Sequence, residues 1–302
     1  MLQEYNILDK KIVSANEGTI KVYFNPTDDE KRYLIEFYKI DEHTLNSSLD
    51  DDELARMETE PDHLALIMKS PRKYAPRDEF LFRIMSLGIF LFSDKIIIIS
   101  NDEVDLFQGK VMQTIMSHAD LLFKLIYRFI FHFYEHLKII NKISDELEHK
   151  INSAMENKYL INLFTLEKSL VYYLNAINSN GVLIEKLKFN SAKLYLTVEE
   201  TELLEDIIIE NTQCYRQADI YSNILASMMD ARVSIVSNNL NVLMKTLNII
   251  TLAIMIPTFV VSAFSMNVKI PLSDMSNAFW IIMGMAACSV MGMIFLWWYK
   301  KW

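Results

Sequence analysis

At 302 residues the chain is long enough for two domains, and its 51% hydrophobic content lies at the upper end for a water-soluble protein. The net charge of -9, with the acidic residues almost all before Lys245, offers no basic face for nucleic acid. Six glycines, with no phosphate-cradling loop and no nucleophile elbow, argue against an ATP-driven pump and against an enzyme. Two cysteines, Cys214 and Cys288, imply no disulfide framework, in keeping with a reducing compartment. Residues 1–6 lack a basic start followed by an apolar run, so no cleaved signal peptide is expected.

Residues 1–110 read as mixed α and β. The alternation over 18–24 predicts a strand that ends at Asn25-Pro26. Residues 27–40 carry an N-cap Thr27, early acids, and Leu34, Phe37 and Tyr38 at helical spacing. Runs 63–68, 79–84, 88–92 and 95–100 are short and β-rich, separated by Pro, Gly or Asp, which predicts a small sheet flanked by helices. From about Val111, Gly and Pro nearly vanish. Ile115, Leu121, Leu122, Leu125, Ile126 and Ile130 predict a first helix; Ile140, Ile143, Leu147 and Ile151 keep a spacing near 3.5 among charges; a third helix is expected over 160–187. A long polar-faced helix begins near Thr197 and meets no breaker before Pro257. Some sixty residues of helix cover about 90 Å, and such a helix needs partners, most simply copies of itself.

The last part of the chain is a pair of apolar runs. Residues 247–264 are about long enough to cross a core of roughly 30 Å, and 278–299 cross it with residues to spare. The predicted organisation is thus a cytosolic α/β domain over 1–110, a helical region and stalk helix over 111–245, and a transmembrane hairpin over 246–302. Within the hairpin the first span is about 246–264, the outer loop 265–277 and the second span about 278–299. Arg232 and Lys245 precede the first span, Lys300 and Lys301 follow the second, and the loop has only Lys269 offset by Asp274. The positive-inside rule then puts both termini in the cytosol.

On a helical wheel Leu247, Thr251, Met255, Thr258 and Ser262 fall on one face of the first span, with Asn241 further back toward the same side. The opposite face, with Ile249, Ile250, Ile256, Val260 and Val261, suits lipid or the second helix. Thr and Ser are mild guests in a membrane helix, so on periodicity alone helix–helix packing is the first reading and a pore the second. His132 and His136 stand at i, i+4 without an acidic third ligand and read, like His118, as packing or surface residues. Cys214 reads as buried and inert, and Met283, Met285, Met291 and Met293 as gap-filling or lipid-facing.

The run from Met255-Ile256-Pro257-Thr258 to Phe264-Ser265-Met266-Asn267 resembles the CorA family of divalent-cation channels, typified by magnesium uptake. The family signature is an aromatic residue followed by Gly-Met-Asn; here Ser265 stands where the family has Gly, and Phe264 where Tyr is usual. Lys245, Pro271 and the terminal Lys300-Lys301-Trp302 also fit, and the Leu49 to Glu58 and Leu87 to Asp102 segments look like the family's cytosolic domain. The resemblance implies a funnel-shaped homopentamer whose first spans line a central pore at Asn241, Leu247, Met255, Thr258 and Asn267, with Ser265 and Met266 in the signature. A ring of neutral Asn267 oxygens suits a hydrated magnesium ion held by its outer shell. It further implies passive uptake of Mg2+, with Co2+ as a further ion, driven by membrane potential in an inner or plasma membrane. Closure by intracellular Mg2+ is implied too, the ion being both substrate and regulatory ligand. Carboxylates offered for that site are Glu199, Glu200, Glu202, Glu205 and Asp206, Asp206 first, with Asp102 and Glu103 on a neighbouring copy. Zinc transport by the same fold and a non-conducting membrane-anchored oligomeric sensor stand as alternatives. If the signature Gly serves a positive φ, Ser265 costs about 1 kcal/mol or more and displaces Asn267.

Overall fold

The computed structural model describes residues 1–75, 78, 80–153, 157–191, 196–266 and 275–300. Two compact units divide at Met229/Asp230. The first is built on seven strands: β1 (Leu2–Leu8), β2 (Lys11–Ser14), β3 (Ile20–Phe24), β4 (Arg56–Thr59), β5 (His63–Pro71), β6 (Ile84–Phe92) and β7 (Ile96–Ser100). They form one sheet in the order β2-β1-β3-β7-β6-β5-β4, in which only β3 and β7 run parallel.

β7 explains the layering. Its sequence is Ile-Ile-Ile-Ile-Ser, all buried, as expected of a central strand covered on both faces. Ile96 and Ile98 join Ile20, Val22, Leu66, Leu87 and the apolar sides of α3 (His118–Ser153) and α4 (Asn157–Phe189) in one core. Ile97 and Ile99 turn the other way, onto Leu34, Tyr38 and Leu45 of α1 (Asp28–Tyr38) and α2 (Glu42–Ser48). The period of two thus serves two cores with one strand. Thr27 caps α1 through a reciprocal capping box with Glu30.

The strands expected over 18–24, 63–68, 88–92 and 95–100 correspond to β3, β5, β6 and β7. The run 79–84 differs. Glu79 lies outside the described residues, Phe80 has φ 70°, and no strand begins before Ile84. Phe82 explains this: it is 1% exposed and its N–H donates to Ser169 Oγ on α4, so the segment packs against a helix instead of pairing with a strand. The β1–β2 hairpin, α2 and β4 carried no signal read from the sequence. The hairpin turns at Asp9 and Lys10, both at positive φ, without the Gly that usually marks such a turn.

The apolar patterns over 115–130 and 140–151 belong largely to one 36-residue helix, α3, with Ile115 just ahead of it donating its N–H to Lys10 O. On α4, Asn180 closes a sheet edge. β4 pairs as far as Ile67 of β5, and beyond it the Asn180 side chain accepts from Lys69 N (2.9 Å) and donates to Lys69 O (2.8 Å). α5 (Val198–Phe264) opens with Thr197 and Glu200 in a capping box. The second unit, Asp230–Trp302, holds the remainder of α5 and α6 (Ala278–Lys300). Both helices are long and apolar enough to cross a membrane.

His132 and His136 lie inside the α3 core. His136 Nδ1 is 2.6 Å from Tyr173 Oη, and the two imidazoles meet edge to face at 4.6 Å. Burial, helped by Arg128 for His132 and by His132 for His136, pushes them down to about 4 and about 3. Both values are below the ordinary 6.5, so their contribution is complete above that pH. The unfolded chain takes up the protons first on acidification. Stability should therefore fall from about pH 6.5 down to about pH 3, by roughly 2 kcal/mol per histidine at pH 5. Thermal melts of the detergent-solubilised chain at pH 7.5, 6 and 5 test this, and His136→Gln should flatten the trend; an unchanged trend in that variant would show that other groups carry it.

Candidate functional site

After Arg232, α5 bears no charged residue until Lys245, and none from Thr246 to Phe264. The less exposed positions of its membrane part are Ile249, Ala253, Ile256, Pro257, Val260 and Phe264. They step by 4, 3, 1, 3 and 4 and so make one side of the helix. α6 has a less exposed side at Ala278, Ile282, Met285, Ser289 and Met293, half-buried, with Ala286 buried among them. Phe279 and Trp280 near one end of α6 and Trp297, Trp298 and Tyr299 near the other are exposed, like the aromatic girdles of membrane interfaces. Trp280 to Trp298 is about 27 Å of helix, close to the thickness of a bilayer core.

Asn241, Leu247, Met255 and Thr258 are all exposed in the single chain, on the side of α5 away from the half-buried stripe. Ile250 and Val261, grouped by the sequence with the opposite face, are exposed as well. The hydroxyls on the exposed face have a common geometry. Thr251 Oγ1 donates to Leu247 O (2.9 Å) and Thr258 Oγ1 to Ile254 O (2.6 Å). Each hydroxyl proton is thereby used on the helix, which leaves the oxygen lone pairs directed outward as acceptors. The two threonines thus present acceptors, a chemistry that suits cations. The face also includes Met244 and Asn248, which sequence reading passed over. Their signal was present, since the same 3–4 spacing continues back from Thr251.

Ser265 closes α5. Its N–H donates to Ser262 O (3.1 Å) and its hydroxyl to the same carbonyl (2.9 Å), and it is not among the non-glycine residues at positive φ. The strain expected of a Ser in a left-handed position is therefore absent, and the hydroxyl adds a second donor to a carbonyl that the backbone N–H already reaches. Met266 follows, 60% exposed; Asn267 lies outside the described residues.

The carboxylates offered as regulatory ligands have diverse surroundings. Glu200 is 8% exposed and fully engaged, by the Thr197 cap and by Ser117 Oγ (2.6 Å), and these hydrogen bonds hold its carboxyl below the usual range against the opposing effect of burial. Glu205 pairs with Lys188 Nζ on α4 at 3.3 Å. Asp102 meets Arg72 Nε at 2.5 Å, and the same guanidinium reaches Asp51 Oδ2 at 2.9 Å. Glu199, Glu202, Asp206 and Glu103 are exposed. Among the described residues, no three His, Cys, Asp or Glu side chains converge on a metal site within one chain. The Asp50-Asp51-Asp52-Glu53 loop, part of the segment that resembles the family's cytosolic domain, sits over Lys69. This lysine is 2% exposed, and its Nζ donates to Asp51 O (2.8 Å) and Ser86 Oγ (2.6 Å). Burial pushes Lys69 below its usual value, while Asp51 and its neighbours oppose the shift.

Residues 22–301 match the family model described as CorA-like Mg2+ transporter protein. The cobalt/magnesium transport protein CorA of Methanocaldococcus jannaschii is 25% identical over 287 residues, covering 90% of this chain and 87% of that one. The complete structure of the CorA magnesium transporter from the same organism superposes with a TM-score of 0.81 at 22% identity, covering 98% of this chain and 96% of that one. The cytoplasmic domain of ZntB from Vibrio parahaemolyticus gives 0.61 at 14% identity, over 78% of this chain and 98% of that one. At these identities the two structures speak to the fold.

Proposed function

The chain belongs to the CorA-like Mg2+ transporter family, whose members move ions and are not enzymes, and on that footing we propose that it is a passive divalent-cation channel for Mg2+, with Co2+ as a further permeant ion. The observation that carries this reading is the uncharged face of α5 from Asn241 to Thr258, exposed in the single chain and turned away from the half-buried side. A helix that carries amides and hydroxyls through hydrocarbon needs water or other copies of itself on that face. A ring of five chains supplies both, with the α5 helices around a central path.

In that ring Asn267 at the outer mouth holds the ion through its hydration shell. Magnesium gives up water reluctantly, and a neutral oxygen ring binds it weakly enough for release. Thr258 offers back-bonded hydroxyl oxygens further in, Leu247 and Met255 make apolar constrictions that close by drying, and Asn241 stands at the cytosolic exit. Both termini lie in the cytosol. The membrane potential supplies the drive, about 2.3 kcal/mol per charge per 100 mV and hence about twice that for a divalent ion. Intracellular Mg2+ closes the pore by bridging Asp206 and Glu202 to a neighbouring copy. Glu205 is engaged by Lys188 in the single chain and is the weaker contributor. Zinc transport on the same scaffold is the second reading.

Uptake of Mg2+, Co2+ and Zn2+ into liposomes holding the purified chain separates these readings. Mg2+ entry lost in Asn267→Ala is expected; entry of zinc alone would support the second reading, and entry of no ion would point to a tether or sensor. Ser265→Gly should transport Mg2+ within about twofold of the parent, because Ser265 occupies no glycine-only conformation. A severalfold change in either direction would mean that the Ser265 hydroxyl shapes the mouth. Asp206→Ala should raise the internal Mg2+ needed for half-closure severalfold, and closure that stays fully sensitive would sink the assignment of Asp206.

A further inference from the structure

Ser237, Asn241, Met244, Asn248, Thr251, Met255, Thr258 and Ser262 succeed one another by alternate steps of four and three. Steps of this kind hold a single face of a helix over many turns. Asn248 is the one carboxamide of the span from Thr246 to Phe264. It is exposed in the single chain, whereas its neighbour Ile249 lies on the half-buried side. Among the described residues its side chain makes no hydrogen bond, although a carboxamide has two donors and a carbonyl acceptor to satisfy. Lipid on this side of the helix cannot satisfy them, and Asn248 lies about one turn, roughly 4.5 Å, further along α5 than Lys245.

We propose that Asn248 faces the permeation path and forms a second carboxamide ring there, one heptad inside Asn241. The proposal rests on the channel reading above and adds to it a determinant of ion specificity. One heptad of helix places the two rings about 10.5 Å apart. A hydrated divalent cation leaving the Asn248 carbonyl oxygens therefore meets Met244 and Leu247 before the next polar ring. An ion that keeps its water passes from ring to ring through outer-shell contacts, and an anion meets no fixed cation on this face between Asn241 and Ser262. The ring is neutral, so it slows a divalent ion without trapping it, as the terminal Asn267 does at the mouth.

The test uses the full chain in liposomes with Cys288→Ser, Cys214 being buried. Asn248→Cys and, as a control on the half-buried side, Ile256→Cys are exposed to a cationic methanethiosulfonate, and modification is followed by mass spectrometry. The introduced thiol at 248 should react at least tenfold faster than that at 256, and millimolar Mg2+ should slow it severalfold. Equal rates at the two positions would overturn the proposal. In parallel, Asn248→Asp should lower the Mg2+ concentration for half-maximal uptake at least fivefold and reduce the maximal rate; an unchanged half-saturation would also overturn it. A parent protein that admits no Mg2+ would defeat the channel reading instead, and the labelling rates would then still decide whether this face meets water.

Discussion

A polar group inside a bilayer must find a partner that is not lipid, and this constraint organises the C-terminal third of the chain. α5 meets it in two ways. Its threonines spend their protons on backbone carbonyls one turn back, at Leu247 and Ile254, so that no donor is left for hydrocarbon to refuse. Asn241 and Asn248 have no such recourse, because a carboxamide has two donors and an acceptor to place. They share one face, and that face is exposed in a single chain. In the proposed ring of copies that face would line the path, with the apolar residues between the amides as constrictions, on the same spacing that a soluble coiled coil uses to bury leucine.

The soluble unit solves a different problem, the accommodation of polar atoms in a core buried on both faces of a sheet. β7 needs no polar partner beyond its ladder, since every position before Ser100 is isoleucine. Elsewhere the polar groups are matched individually. Asn180 supplies the two backbone bonds that β4 is too short to give β5, and Ser169 takes the N–H of Phe82. Lys69 holds the acidic loop from beneath as a buried ammonium with two acceptors in reach. Each match ties a helix or loop to the sheet, and removal of either partner would leave a buried group unsatisfied, the costlier half of any hydrogen bond.

Charge in the soluble unit is accordingly less free than the net -9 suggests. Asp102 and Asp51 share Arg72, Glu205 has Lys188, and Glu200 is a helix cap. Carboxylates already neutralised by the chain bind an external cation only after giving up that partner. Asp206 and Glu202, exposed on the first turns of α5, remain open to one. An ion that bridges copies would find them first, and the acidic loop over Lys69 acts as a structural joint.

The amino-acid sequence by itself determined the class of the protein. Two apolar runs of spanning length, a long helix without breakers and the Phe264-Ser265-Met266-Asn267 signature needed no partner to be legible, because hydrophobic length and helical period are properties of contiguous residues. β3, β5 and β7 were legible for the same reason. The β1–β2 hairpin was not, since Asp9 and Lys10 adopt positive φ without a glycine to announce it. Nor could local pattern show that Phe82 abandons a strand for α4 or that Glu200 is a cap tied to Ser117. Those outcomes depend on which groups from distant parts of the chain arrive within 3 Å, and only the tertiary structure decides that, because hydrogen-bond satisfaction is a property of neighbours in space.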